Sequence, residues 1–126
     1  MAMGRAHGTF AWNDLLTTDV EKAKAFFAAT LGWTFEDFSL EGRPYFVIRS
    51  GDAMVGGLGS LETGDVETTQ SYWIAFVEVT DLDERFATAL ENGAIAIRPP
   101  HDVEGIGRVC VLRDPTGAAL GWMQGA

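Results

Sequence analysis

The chain has 126 residues, of which 47% are hydrophobic and 21% are charged, and its formal net charge is −9. This length and composition indicate one globular domain or two small fused modules, and they exclude a disordered chain. The acidic excess comes without a cluster of cations, so the sequence excludes nucleic acid as a partner and disfavours an anionic membrane surface. No apolar run reaches the length of a membrane span, about 18 residues, so no membrane association is expected.

The cysteine content bears on the compartment in which the protein works. The chain has 1 cysteine, which rules out an internal disulfide bond. The first seven residues lack the apolar core of a secretion signal. The sequence therefore predicts a cytoplasmic protein, and it predicts that Cys110, within the apolar run Val109-Cys110-Val111, is a buried structural thiol rather than a nucleophile.

The first half of the chain predicts one helix among four strands. Thr18-Asp19-Val20-Glu21 has the form of a capping box, with Thr18 as the N-cap, and Gly32 marks the end of the helix. The strand-like segments are 9–16, 33–38, 45–49 and 53–58. A polar stretch over 60–70 is then predicted as a linker.

The second half repeats this order. Thr80-Asp81-Leu82-Asp83 opens a helix in the same fashion, and Leu82, Phe86, Ala89 and Leu90 form its predicted apolar face. Asp114-Pro115-Thr116-Gly117 has the residue preferences of a type I turn. The strand-like segments are 72–79, 94–98, 108–113 and 118–124.

The order strand, helix, strand, strand, strand therefore occurs twice. We predict an α+β fold built from two βαβββ modules, 8–62 and 70–126, which together form one domain over about 8–124. Each helix covers one face of its sheet and leaves the other face open, so a duplicated module of this kind is expected to enclose a concave pocket.

Several short motifs, taken in order, resemble one protein family. They are Asp14-Leu15-Leu16-Thr17-Thr18-Asp19, Leu31-Gly32-Trp33, Asn92-Gly93-Ala94, Gly105-Ile106-Gly107-Arg108 and Asp114-Pro115-Thr116-Gly117. Together they resemble the vicinal oxygen chelate superfamily of glyoxalases, bleomycin-resistance proteins and extradiol dioxygenases. This resemblance covers nearly the whole chain, and it implies paired βαβββ modules that form a cupped mixed sheet, the glyoxalase/bleomycin-resistance/dihydroxybiphenyl-dioxygenase-like fold.

The resemblance also implies a divalent metal, held by His, Glu or Gln from the first and last strands of each module. Transferred by spacing, the four ligand positions fall on Trp12, Gly57, Ile74 and Gly121. None of these side chains has a donor atom for a metal, which requires N, O or S ligands. A shift of one residue offers Asn13 or Trp73 and still does not assemble three donors. We therefore expect neither a metal nor another cofactor.

Side-chain alternation along the strands predicts what lines the cup. If Trp12 faces inward, Asp14 does too, and a turn that pairs Arg113 with Ala118 places Arg108, Cys110 and Leu112 inward. On strand 45–49, either Phe46 and Ile48 or Tyr45 and Val47 face the cup. The candidate ligand-binding residues are Trp12, Asp14, Phe46, Gly57, Ile74, Phe76, Arg108 and Gly121.

Three functions are compatible with this lining, which is apolar and aromatic with few polar groups. The first is a metal-free binding protein of the bleomycin-resistance type, which holds a small aromatic or cationic molecule. The second is an enzyme of the lyase, isomerase or dioxygenase type, with Asp14 or His101 as a proton carrier in the metal-free case. The third is a dimeric protein with a vestigial site. No catalytic residue is assigned, and a homodimer is expected in all three cases.

Overall fold

The computed structural model describes residues 5–39 and 42–125. These residues form two compact units. The N-terminal unit contains residues 13–73, and the C-terminal unit contains residues 5–12 together with 74–125. Each unit contains one helix and is described by itself.

The helices and strands follow the order expected from the sequence. The elements are β1 Phe10–Thr17, α1 Val20–Leu31, β2 Thr34–Asp37, β3 Tyr45–Ser50, β4 Ala53–Ser60, a 3-10 turn Leu61–Thr63, β5 Tyr72–Glu78, α2 Leu82–Glu91, β6 Ile95–Val103, β7 Gly107–Arg113 and β8 Ala119–Gly125. The α+β class and the two βαβββ modules are confirmed. Neither helix is long and apolar enough to cross a membrane within the described ranges.

Strand β6 is longer than its sequence pattern indicates. It runs to Val103 rather than Arg98, so His101, which the sequence places in a loop between the predicted strands 94–98 and 108–113, lies in a strand, and that prediction is wrong. The pairing of β6 with β7 shifts register on both sides of Arg98. Pro99 and Pro100 lie at this irregularity, and because proline has no N–H to donate, bulges let the strand continue past them.

The N-terminal unit packs α1 against one face of a mixed sheet. The sheet has the order β2-β3-β4-β1, with β1 parallel to β4 and the other pairs antiparallel. Leu15, Ile48 and Leu58 form the buried centre of the core. The partly buried side chains that pack against this centre are Val20, Ala23, Phe27, Trp33, Phe35, Phe46 and Val55.

The two ends of α1 have well-defined caps. Asp19 is the N-cap residue, and its Oδ1 accepts a hydrogen bond from the Lys22 N–H at 3.0 Å. The predicted N-cap role of Thr18 is therefore wrong. At the other end Gly32 adopts φ 69°, a left-handed conformation that glycine reaches without steric cost, and its N–H donates to the Ala28 carbonyl.

Replacing Asp19 by alanine is expected to lower the free energy of unfolding by about 1 kcal/mol, because the Lys22 N–H loses its acceptor. Thr18→Ala, which removes no capping oxygen, is the matched control and should cost less. Urea midpoints at an unchanged m-value report the difference. Equal losses in the two variants would show that Asp19 does not cap the helix.

The C-terminal unit repeats the architecture with α2. Its sheet has the order β5-β8-β7-β6, with β5 parallel to β8 and the other pairs antiparallel. The buried core consists of Val79, Leu82, Phe86, Cys110 and Leu112, with Ala89 packed beside it. Leu90, which was expected on the apolar face of α2, is 44% exposed, so that part of the prediction is wrong.

The start of α2 departs from the capping box. The N-cap residue is Asp81, and its side chain makes no capping hydrogen bond. Its φ of 52° lies in the left-handed region that non-glycine residues rarely adopt. The Leu82 N–H donates instead to Oε1 of Gln124, at 2.9 Å. A side chain from β8, distant in sequence, thus replaces the local cap that the sequence predicts for Thr80.

The connection between β7 and β8 decides which side chains face α2. Arg113 pairs with Ala119, not with Ala118 as predicted. Asp114 and Ala118 close the turn, because the Asp114 N–H donates to the Ala118 carbonyl at 2.9 Å. The connection therefore holds one residue more than a four-residue turn. A shift of one residue moves every side chain of a strand to the other face of its sheet.

Cys110 is one of the side chains that this shift reassigns. It lies with Leu112 in the core beneath α2, while Val111 faces away from the helix, opposite Gly121. Burial raises the pKa of the Cys110 thiol to about 11, compared with the ordinary value of 9.0. A thiol in this environment stays protonated at neutral pH, as a structural residue does.

The raised pKa of Cys110 predicts a loss of stability in alkaline solution. The unfolded thiol ionises near pH 9, whereas the folded thiol stays protonated to about pH 11, so the unfolded state binds fewer protons over this range. The contribution is therefore fully present below pH 9 and is lost as the pH rises. By pH 10 the loss in the free energy of unfolding should amount to about 1 kcal/mol. The free energy of unfolding of Cys110→Ala should fall less steeply between pH 8 and pH 10, and parallel curves would contradict the prediction.

Candidate ligand-binding site

The helix-free face of the N-terminal unit carries a hydrogen-bonded carboxylate and phenol. Asp14 of β1 lies beside Gly57 of β4 in the parallel register, and Tyr45 of β3 reaches over the glycine. The Tyr45 hydroxyl donates to Asp14 Oδ1 at 2.8 Å, and both side chains are partly buried. A Cβ atom at Gly57 would overlap the Tyr45 hydroxyl and the Asp14 carboxylate. The pair can therefore form because residue 57 has no side chain.

A second tyrosine, Tyr72, belongs to the same unit. Its hydroxyl accepts a hydrogen bond from the Val66 N–H at 3.3 Å. Burial raises the pKa of Tyr72 above its ordinary value of 10.0, and the carboxylates of Asp65 and Asp14 raise it further. The phenol is therefore neutral at physiological pH and remains a hydrogen-bond donor.

In the C-terminal unit an aromatic ring occupies the equivalent place. Phe76 of β5 lies opposite Gly121 of β8, and a Cβ atom at Gly121 would overlap the Phe76 ring. Ile74, two residues before Phe76, is 5% exposed. Val111 of β7 pairs with Gly121 on this face. The helix-free face of this unit is therefore mainly apolar.

One polar residue on that face was not among the sequence predictions. Glu78 continues the alternation of Ile74 and Phe76 along β5, and it is 9% exposed. Its Oε2 accepts a hydrogen bond from the Gly125 N–H at 3.0 Å. Its Oε1 is buried without a hydrogen-bond partner among residues 5–39 and 42–125. The sequence signal for it was present, because extending the inward-facing set of β5 by one step reaches Glu78.

Phe46 lies on the other face of its sheet from the one proposed for a ligand. It packs against the core beneath α1, and Lys24 Nζ lies 4.0 Å from the centre of its ring. The alternative left open by the sequence is thereby resolved in favour of Tyr45 and Val47, because Val47 pairs with Gly57 in the register of β3 and β4. The assignment of Phe46 to the helix-free face is wrong.

The predicted orientation of Arg108 is also wrong, because the turn between β7 and β8 is one residue longer than expected and places Arg108 on the other face of the sheet. Arg108 lies on the α2 side of its sheet, the side that carries Cys110 and Leu112. Its guanidinium forms ion pairs with Asp83 of α2 at 2.8 Å and with Asp102 of β6 at 3.0 Å. These exposed ion pairs connect the helix to the sheet.

Each of the two histidines makes a contact with the backbone through its Nδ1 atom. The Thr80 N–H donates to His7 Nδ1 at 3.1 Å. His101 Nδ1 lies 3.0 Å from the Pro99 carbonyl, and since a carbonyl oxygen only accepts, the ring N–H is the donor.

The side chains present do not fit the divalent metal that the resemblance implies. Trp12 and Ile74 are 6% and 5% exposed and have no donor atom suited to a metal. At Gly57 the space of a ligand side chain is taken by Tyr45 and Asp14, and at Gly121 it is taken by Phe76. No group of three or more His, Cys, Asp or Glu side chains that could hold a metal lies within residues 5–39 and 42–125.

The sequence of the chain matches one family. Residues 8–121 match the sequence profile of the Glyoxalase/Bleomycin resistance protein/Dioxygenase superfamily. The chain belongs to this superfamily, as the resemblance predicted.

Several curated proteins are similar to the chain in sequence. CFP32 of Mycobacterium tuberculosis, whose name provisionally calls it a glyoxylase, is 37% identical over 112 residues, which are 88% of this chain and 42% of that protein. The anthracycline biosynthesis protein DnrV of Streptomyces peucetius is 32% identical over 113 residues, which are 90% of this chain and 40% of that protein. The chain thus spans less than half the length of these relatives.

Solved structures share the fold at low sequence identity. A hypothetical protein from Bacillus halodurans matches with a TM-score of 0.69 at 13% identity, covering 96% of each chain. Methylmalonyl-CoA epimerase of Streptomyces coelicolor matches with a TM-score of 0.66 at 17% identity, covering 96% of this chain and 99% of that one. At these identities the likeness shows the fold alone.

Proposed function

We propose that the protein binds a small aromatic or cationic molecule without a metal, as bleomycin-resistance-type members of its superfamily do. The observation that carries the proposal is that glycine stands at two positions where metal-binding relatives have a ligand side chain. Where a metal-binding relative has a ligand side chain, Gly57 lies beneath a hydrogen-bonded carboxylate and Gly121 lies beneath the Phe76 ring. A carboxylate attracts a cation, and an aromatic ring stacks on another aromatic ring.

The named relatives support an aromatic ligand. Two of them are called anthracycline biosynthesis proteins. Anthracyclines are planar aromatic compounds that carry an amine, and a carboxylate such as that of Asp14 attracts an amine. The net charge of −9 favours a cationic ligand as well.

Binding is tested by fluorescence titration with doxorubicin, a fluorescent anthracycline. We expect saturable binding that is about tenfold weaker in Asp14→Asn, because the variant loses the charge but keeps an oxygen that can accept from Tyr45. Asp52→Asn, which removes the same charge from the turn between β3 and β4, is the control and should bind normally. Absence of saturation, or equal affinity in all variants, would refute the proposal.

The metal-free character has its own measurement. Purified protein analysed by plasma mass spectrometry should contain far less than one equivalent of zinc, iron, nickel or manganese. Stoichiometric metal that is lost in Asp14→Asn or Glu78→Gln would refute it, because those carboxylates would then be ligands.

The hydrogen bond between Tyr45 and Asp14 favours a second candidate function, proton transfer in an isomerase or lyase. A carboxylate within hydrogen-bond reach of a substrate C–H can remove its proton and return it to the adjacent carbon. The glyoxylase named among the relatives suggests the hemithioacetal of methylglyoxal and glutathione as the substrate to try. Thioester formation at 240 nm that disappears in Asp14→Asn would favour the enzyme, and an unchanged substrate would favour the binding protein.

We also propose that the chain acts in the cytoplasm as a homodimer. The single cysteine and the acidic composition support the location, and the open faces of half-barrel modules support self-association. Sedimentation equilibrium should give twice the mass of one chain. A monomer over the whole concentration range would refute the homodimer.

A further inference from the structure

We propose that the N-terminal unit has a separate binding site for a hydroxylated organic cation, in a groove at the carboxyl ends of β1 and β4. The groove has a volume of about 740 Å³, which lies in the range of small-molecule sites. Its walls come from the ends of these two strands, the start of α1 and the segment after β4. That segment is the stretch predicted from sequence as a polar linker, and here it forms a wall of the groove.

Hydroxyl groups dominate the polar lining of this groove. They belong to Thr17, Thr18, Ser60, Thr68 and Thr69. Thr17 and Ser60 are 7% and 9% exposed, so their hydroxyls belong to the packed floor. The Asp19 N–H donates to Thr17 Oγ1 at 3.2 Å, and Ser60 Oγ donates to Glu62 Oε1 at 2.9 Å, which holds both groups in place. Because a hydroxyl both donates and accepts, this lining suits the hydroxyl and ether oxygens of a polyol or sugar.

The charged lining is entirely acidic. Glu62 and Glu67 contribute carboxylates, and no Lys, Arg or His lines the groove. Two like charges beside a concave surface raise the local concentration of cations. An amine on the ligand would therefore interact favourably with these carboxylates.

The nearby N-terminus of α1 raises the alternative of an anion site. Asp19 already accepts from the Lys22 N–H there, and Glu21 adds a second carboxylate in the first turn. These charges offset the positive end of the helix dipole. With Glu62 and Glu67 opposite, the electrostatics oppose a phosphate or sulfate in this groove.

Three apolar side chains complete the lining. Val20, Leu61 and Val66 face the groove beside the hydroxyls. Such a mixture fits a ring that has C–H groups on one face and hydroxyls at its edge. The combination of hydroxyls, carboxylates and apolar contacts therefore indicates a hydroxylated ring that carries an amine.

The test compares three probes that share one ring: glucosamine, glucose and glucose 6-phosphate. Titration of 15N-labelled protein should show saturable binding of glucosamine, with a Kd of about 1–10 mM for a ligand of this size. The shifted amides should belong to Thr68, Thr69 and Thr18. Glucose should bind at least about fivefold more weakly, and glucose 6-phosphate should cause no shifts at these amides. The variant Glu62→Gln/Glu67→Gln should lose about tenfold or more in affinity for glucosamine.

A matched charge control separates this site from general attraction to an acidic protein. Glu84→Gln/Glu91→Gln removes the same charge from α2 in the other unit and should leave the affinity unchanged. Equal losses in the two double variants, equal binding of glucose and glucosamine, shifts confined to other parts of the chain, or no saturation would each overturn the proposal. The doxorubicin test uses Asp14, which does not line the groove, so the two proposals can fail independently.

Discussion

Replacing Gly57 by alanine is expected to lower the free energy of unfolding by about 2–3 kcal/mol and to weaken binding of a cationic ligand. The new Cβ atom would overlap the Tyr45 hydroxyl and the Asp14 carboxylate, so one of them must move and their 2.8 Å hydrogen bond must break. Both residues are partly buried, so the separated groups regain only part of their hydration. Urea denaturation measures the stability, and the doxorubicin titration measures the binding.

Gly59 offers a matched control on the same strand and the same face as Gly57. A Cβ atom there would lie 3.4 Å from the Pro44 carbonyl oxygen and from Thr63 Oγ1, close to ordinary van der Waals distances. Gly59→Ala should therefore be tolerated. In the Gly57→Ala background, Tyr45→Phe removes the overlapping hydroxyl and should cost less than it costs in the wild-type chain. If the two alanine variants are equally stable, the close approach at Gly57 is not what requires a glycine.

The second large effect is expected at Gly121, where alanine would overlap the Phe76 ring. We expect a loss of about 1–3 kcal/mol, because three atoms of the Phe76 ring lie within 3.0 Å of the new Cβ atom and the ring must shift to make room for it. The loss should be reduced when Phe76 is also replaced by alanine, because the atoms that the new methyl group would meet are then absent.

A double-mutant cycle on Gly121 and Phe76 measures this directly. The two substitutions together should cost less than the sum of the single ones, by about 0.5–3 kcal/mol. Gly59→Ala combined with Phe76→Ala is the control cycle. Its effects should be additive, because the atoms nearest to a Cβ atom at residue 59 belong to Pro44, Thr63 and Tyr45 and not to Phe76. Additivity in both cycles would contradict the packing described for Gly121.

Several parts of the fold were accessible from sequence because they depend on local preferences. The strand limits agree within two residues except at β6, and Gly32 ends α1 as expected. The N-caps were less accessible. Thr18 and Asp19 are both good capping residues, and only the position of the backbone selects Asp19. At α2 the Leu82 N–H is satisfied by Gln124, which no local pattern indicates.

For the candidate site, too, the placement of some residues followed from the sequence and that of others did not. The sequence predicted the face on which Asp14, Gly57, Phe76 and Gly121 lie, because spacing from helix and turn signals locates a residue along its strand, and their role in binding stays a prediction. It misassigned Arg108 because the turn before β8 is one residue longer than its motif suggests. It left Tyr45 and Phe46 undecided, and it stopped one step before Glu78.

By itself, then, the sequence determined the repeated βαβββ order, the family and the absence of donor side chains at the expected ligand positions. Composition, periodicity and spacing are properties of the chain alone, so no folding is needed to read them. The tertiary structure decided which face each side chain occupies, since a shift of one residue in pairing moves it to the other face. Only the structure placed Tyr45 and Phe76 over the two glycines and turned the predicted linker into a wall of a groove, because contacts between distant segments depend on packing.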